Sequence, residues 1–116
     1  MNIGIFNFIT DYSMPITELA PAVEERGFDS LWLPEHTHIP TSRKSPYPEA
    51  DELPNEYLHT LDPFVTLAAA ATVTNTLKLG TGITLIIERD TITTAKSAAT
   101  LDFLSGGRLQ FGLGGG

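Results

Sequence analysis

Cysteine is absent from all 116 residues, which removes disulfides, thiolate nucleophiles and Cys-based zinc or iron–sulfur sites from consideration. Basic residues are scarce. Seven Lys and Arg stand against 14 Asp and Glu, a net charge of −7, and no Lys/Arg run occurs. Nucleic acid and anionic membrane are therefore not expected partners, and the charge reads as a solubility feature. Long apolar runs are also missing, so no segment is expected to span a bilayer. Met1 leads straight into the strand-like Asn2-Ile3-Gly4-Ile5-Phe6 with no basic leader or apolar stretch before it. No secretory signal is expected, and the cytoplasm is the expected compartment.

What is present is a regular alternation. Residues 2–8, 29–33, 77–83 and 108–113 are short apolar runs bounded by Gly, Pro or a helix signal, and each predicts a strand. Three helical patterns separate them. The first covers Thr17–Arg26, with Leu19, Ala20 and Val23 at helical spacing and Gly27 as its stop. With Thr17 as N-cap, Pro21 falls early in the helix; an earlier start would force a kink. The second begins at Asp62-Pro63, an acceptor cap followed by proline, and carries Phe64, Leu67, Ala68 and Ala71 as its buried stripe. The third runs from Asp90 through Ala95, Ala98, Ala99 and Leu101 to about Leu104, where Gly106 or Gly107 ends it.

The order β-α-β-α-β-α-β implies an α/β fold with a parallel sheet and right-handed crossovers. The interval between the second and third strands is some twenty residues longer than a plain βα unit of roughly thirty. The excess, Thr37–Thr60, holds Pro40, Pro46, Pro48 and Pro54. It follows a strand's C-terminal end, where barrels and open α/β sheets place their sites. Four parallel strands make half of a (β/α)₈ TIM-type barrel, which needs about 250 residues. The expectation is that residues 1–116 form the N-terminal half of one barrel domain in a truncated or partial chain.

Three segments could carry chemistry. After strand 2 comes Pro34-Glu35-His36-Thr37-His38. An imidazole handles protons near neutral pH, and an adjacent carboxylate tunes it. A histidine bonded to loop backbone is the competing reading. The barrel context favours function for His36, with His38 as a secondary candidate. Glu35, His36, His38 and His59 were weighed as metal ligands, but no further ligand type ends strands 1, 3 or 4, and no metal is expected. Strand 3 contains Gly80 and Gly82, which mark either a packing bulge or a place where a planar ring can approach the backbone. Strand 4 runs into Gly112-Leu113-Gly114-Gly115-Gly116, whose spacing does not match a dinucleotide-binding loop. Tyr47, Tyr57 and Phe64 either line a substrate pocket or pack, and Trp32 is expected in the core.

As a set these segments resemble the luciferase-like monooxygenase superfamily, and more closely its deazaflavin-dependent branch. The matching strings are Gly27-Phe28-Asp29-Ser30-Leu31-Trp32-Leu33-Pro34-Glu35-His36, Leu79-Gly80-Thr81-Gly82-Ile83, Ala95-Lys96 with Ala99-Thr100-Leu101-Asp102, and Leu104-Ser105-Gly106-Gly107-Arg108 with Phe111-Gly112-Leu113-Gly114. The string His36-Thr37-His38-Ile39-Pro40-Thr41-Ser42-Arg43 resembles the oxidoreductases dependent on coenzyme F-420. The resemblance implies a barrel with an isoalloxazine-like ring at its C-terminal mouth, carried on a strand-3 bulge whose non-proline cis peptide corresponds to Gly82-Ile83. It implies a proton-handling role for His36 and cofactor contacts from Glu35, Gly82, Ile83, Gly114, Gly115 and Gly116. Many members of the branch have Asp where Glu35 stands. His38 and Tyr47 are the expected substrate contacts. The implied activity is hydride transfer to or from a small organic molecule, with coenzyme F-420 as cofactor. FMN and monooxygenase chemistry are the alternative, and a non-catalytic half-barrel or binding module is the reading from another class. A homo-oligomer is compatible with all three.

Overall fold

Each apolar run becomes a strand of one parallel sheet. The computed structural model describes residues 1–42, 47 and 52–115. Its strands β1 (Gly4–Phe6), β2 (Ser30–Leu33), β3 (Lys78–Leu85) and β4 (Leu109–Gly114) lie side by side in that order. All three neighbouring pairs are parallel, and Ile5, Leu31, Leu79 and Leu109 stand in one row across them. Parallel neighbours need a crossover, and here each crossover is helical. The strand edges differ slightly from the predicted spans. β1 is short, although Asn7 still donates to the Trp32 carbonyl and Asp29 to that of Ile3. β3 continues two residues past the predicted end, because Thr84 and Leu85 pair with Leu113 and Gly114 after a register shift at Thr81/Thr84.

The helices are α1 (Ile16–Glu25), α2 (Glu56–His59), α3 (Pro63–Thr72) and α4 (Thr91–Leu104), with a 3₁₀ turn at Ile86–Glu88. α3 and α4 start as expected: the Asp62 carboxylate accepts from Val65 N–H at 2.9 Å, and that of Asp90 from Thr93 N–H at 2.7 Å. Each satisfies one of the orphan donors of a first turn. α1 departs from expectation. Pro15, not Thr17, precedes its first residue, and no side chain caps it. Pro21 therefore lies deeper in the helix, where it leaves the Thr17 carbonyl without its helical donor; Thr17 is exposed, so water can serve it. Gly27 ends the helix with φ +78°, a conformation that glycine adopts without steric cost. On α4 the buried stripe is Thr94, Ala98 and Leu101, whereas Ala95 and Ala99 are exposed. Alanine at three positions let the apolar pattern be drawn one residue off. The short α2 lies within the span read as an irregular loop.

Side chains alternate across each strand, so the sheet has two distinct faces. One face, with Leu31, Leu33 and Leu79, packs against Ala20 and Val23 of α1, Leu67, Ala70 and Ala71 of α3, and Ala98 and Leu101 of α4. The other face carries Phe6, Trp32, Gly80 and Gln110. Trp32 belongs to this second face and is only partly buried, so it is not part of the helix-covered core as expected. Its indole lies over Gly80, where an added Cβ would fall 2.3 Å from the ring. A four-stranded parallel sheet with helices on one face has the arrangement of half a (β/α)₈ barrel, in which the second face would line the interior. Among the described residues, no helix is long and apolar enough to cross a membrane.

Candidate functional site at the strand ends

The loops that follow β1, β2 and β3 converge at the C-terminal edge of the sheet. Phe8 lies just after β1 and His36 just after β2, and their rings stack with centroids 6.1 Å apart and planes within 5°. Tyr57 of α2 covers both, 4.5 Å from His36 and 5.0 Å from Phe8. Tyr47 extends the cluster by edge contact with Tyr57 at 5.6 Å. Among the described residues, none hydrogen-bonds the His36 ring nitrogens, which leaves the imidazole open to a ligand. Its burial holds the ring's pKa below the usual imidazole range, against the opposing pull of the Glu88 and Glu35 carboxylates.

Glu35 points elsewhere. It is 2% exposed, and both of its oxygens are engaged. One accepts the Leu85 N–H at 2.7 Å, and the other accepts Arg89 Nε at 2.5 Å and also pairs with Arg89 Nη2. Arg89 in turn donates to Asp62 at 2.6 Å and lies 4.7 Å from the Phe64 ring centre. Burial works against the guanidinium charge, but the bonds to Glu35 and Asp62 outweigh it and raise its pKa. Glu35, His36, Thr37 and residues 60–63 line a cleft of about 210 Å³.

β3 supplies the floor. Its Gly82-Ile83 peptide is cis, as the resemblance implies, and it coincides with the register shift against β4. The shift is closed by a side chain: the Thr81 hydroxyl accepts from Gly112 N–H at 3.1 Å and donates to Gly112 O at 2.9 Å. An added Cβ at Gly82 would make ordinary contact with the Phe6 ring at 3.6 Å and with Trp32 Cβ at 3.7 Å. Phe6 meets Phe8 edge-on at 5.8 Å, and Phe8 stacks on His36. A continuous run of contacts therefore joins Gly82 to His36 along one side of the sheet. Ile83 is 39% exposed.

The remaining candidates separate. Gly114 makes room for Ile83, whose Cδ1 would be 1.9 Å from a Cβ there; Gly115 borders open space; and Gly116 lies outside the described residues. His38 is exposed, and its Nδ1 is 2.9 Å from Thr37 Oγ1. Because Thr37 donates its one proton to Glu88 at 2.5 Å, His38 Nδ1 must be the donor to Thr37. His59 pairs instead with Asp11 at 2.9 Å. Phe64 is core. The sequence reading missed Arg89, Glu88 and Phe8. A cation flanked by acids just past a barrel strand, Glu88-Arg89-Asp90, was the available signal for two of them.

The profile of the luciferase-like monooxygenase family matches residues 8–116. The chain belongs to that family. It is 43% identical, over 119 aligned residues, to an uncharacterised protein of Mycobacterium tuberculosis, covering all of this chain and 42% of that protein. The coenzyme F420 dependent tetrahydromethanopterin reductase from Methanopyrus kandleri superposes with a TM-score of 0.72 at 30% identity over 99% of this chain and 27% of that one. The monooxygenase RslO1 from Streptomyces bottropensis superposes at 0.74 and 29% identity over 97% and 32%. The chain thus spans less than half the length of each of these family relatives.

The second face suits a planar ring. Gly82 presents no side chain to it, Ile83 is exposed beside Gly82, and Phe6 and Trp32 flank Gly82 on the β1 and β2 sides.

Proposed function

We propose that the protein is an oxidoreductase that binds coenzyme F-420 on the open face beside Gly82 and Ile83 and acts on a small organic substrate in front of His36. When bound, the deazaflavin supplies a two-electron hydride acceptor or donor. The chain supplies the rest. Gly82, Ile83 and Gly115 give the ring its floor, and Gly114 admits the Ile83 side chain that shapes that floor. His36, with both ring nitrogens open and its pKa held below the usual range, takes or returns the proton that accompanies the hydride. Phe8 and Tyr57 fix the imidazole plane and keep water from that side. Tyr47 and His38 stand where the substrate arrives. Glu35 acts through Arg89 and Leu85 rather than by touching the cofactor.

The observation that carries this reading is the line of neighbours Gly82, Phe6, Phe8 and His36 along one side of one sheet, with a glycine at one end and, at the other, an imidazole that has no hydrogen-bond partner among the described residues. Likeness to the F420-dependent reductase supports the deazaflavin. Likeness to the monooxygenase RslO1 favours a second reading, oxygen chemistry on FMN in the same place. Titration of the full-length protein with each cofactor, followed by turnover with His36→Ala, tests both. Selective binding of FMN would replace the first reading by the second.

A further inference from the structure

Glu35 poses a problem that Arg89 solves. A carboxylate this deeply buried is stable only when paired and hydrogen-bonded. It is also next to His36 in the chain, and an unopposed negative charge there would draw a proton onto the imidazole. Arg89 reaches it from beyond the 3₁₀ turn after β3, closes on it with Nε and Nη2, and is itself held by Asp62, the cap of α3. Leu85 N–H occupies the second Glu35 oxygen at 2.7 Å. One guanidinium and one carboxylate therefore fasten together the loop after β2, the end of β3 and the start of α3.

We propose that Arg89 is a positioning residue for His36: it neutralises the buried Glu35 carboxylate beside it in the chain and locks the His36 loop to the end of β3. The proposal rests on the preceding reading only in treating His36 as the residue that moves a proton. Among the described residues, the charged and titratable groups near His36 are Glu35 and His38 on its own loop, Glu88 on the 3₁₀ turn and Tyr57 on α2, with Phe8 closing the β1 side. Glu88 lies toward solvent and already shares its charge with Thr37. Glu35 is the buried carboxylate of the set and the one that Arg89 pairs with.

The test is an NMR titration of the His36 imidazole in the full-length protein without cofactor, the signal being assigned by its loss in His36→Asn. Glu35→Gln leaves the guanidinium charge less opposed, so the His36 pKa should fall. Arg89→Gln leaves the carboxylate unopposed, so the pKa should rise, by about one unit. The double variant should return close to the starting value. Opposite shifts that cancel are not produced by simple loss of packing. Single variants that shift in the same direction, or a double variant that fails to restore the value, would overturn the proposal. Should Arg89→Gln not fold, Arg89→Lys and Glu35→Gln decide: the first should leave the titration near its starting value and the second should lower it. An unmoved His36 in Glu35→Gln overturns the proposal. No cofactor or turnover enters the measurement, so its failure is distinct from failure of the functional reading.

Discussion

Two residues illustrate how the same chemistry does different work in different surroundings. His36 and His38 are two positions apart, yet one packs with Phe8 and Tyr57 in a three-ring cluster while the other is exposed and donates to Thr37. His36→Ala should lower turnover by about 10²–10⁴-fold with little change in cofactor affinity, whereas His38→Ala should have a smaller effect; steady-state kinetics with a cofactor titration separates them. Glu24 shows a carboxylate used for structure. Burial alone would raise its pKa, but the N–H groups of Thr76, Leu77 and Asn75 and the Thr76 hydroxyl all donate to it and bring it down to about 2 from an ordinary 4.5. A depressed carboxylate pKa adds stability above the unfolded value that is lost as pH falls through the folded one. The melting temperature should therefore decline between pH 4.5 and 2, and Glu24→Gln should flatten that part of the curve. His36 was legible in the sequence because an ionisable side chain directly after a barrel strand is a local signal. The pairing of Arg89 with Glu35 was not, because the two lie 54 residues apart and only the folded sheet brings them together.

At the scale of elements, the register shift of β3 against β4 is the feature on which the site rests. Thr81 spans it by bonding to both backbone groups of Gly112, and the close approach leaves no space for a side chain there: a Cβ on Gly112 would fall 2.2 Å from the Thr81 carbonyl oxygen. Gly112→Ala should destabilise the protein by about 1–3 kcal/mol, readable as a lower denaturation midpoint. Gly82→Ala is the contrast. Its Cβ would make only ordinary contacts with Phe6 and Trp32, so stability should hold, while affinity for the proposed cofactor should fall because a methyl is added to its proposed floor. Loss of stability in Gly82→Ala, or retained affinity, would contradict that role for the floor. Most element boundaries were readable because they depend on local chemistry, as with the Asp62 and Asp90 caps and the Gly27 stop. The register shift was not readable in position or extent, since glycines in a strand are equally consistent with a packing bulge. The start of α1 was missed for a related reason: Pro15 makes no side-chain cap, so Thr17 offered a stronger local signal than the residue that precedes the helix.

The whole molecule presents two unlike surfaces. The helix-covered face is closed, but β1 and β4 each have one unpaired edge, and Phe103, Phe111 and Leu113 on the β4 side and Phe6 on the inner face are exposed. Unpaired edges and apolar surface promote association. Residues 1–116 produced alone should associate in a concentration-dependent way on size-exclusion chromatography with light scattering; a sharply melting monomer at all concentrations would contradict this. The exposed inner face is also the proposed cofactor site. The most direct test is therefore equilibrium titration of the full-length protein with coenzyme F-420 and, separately, FMN, followed by the absorbance and fluorescence of the ring. Saturable binding with a perturbed ring spectrum, weakened in Gly82→Ala but little changed in His36→Ala, is the expected result. A folded protein that perturbs neither ring, or one whose binding is indifferent to Gly82, would contradict the assignment of the open face of β3 as the cofactor floor.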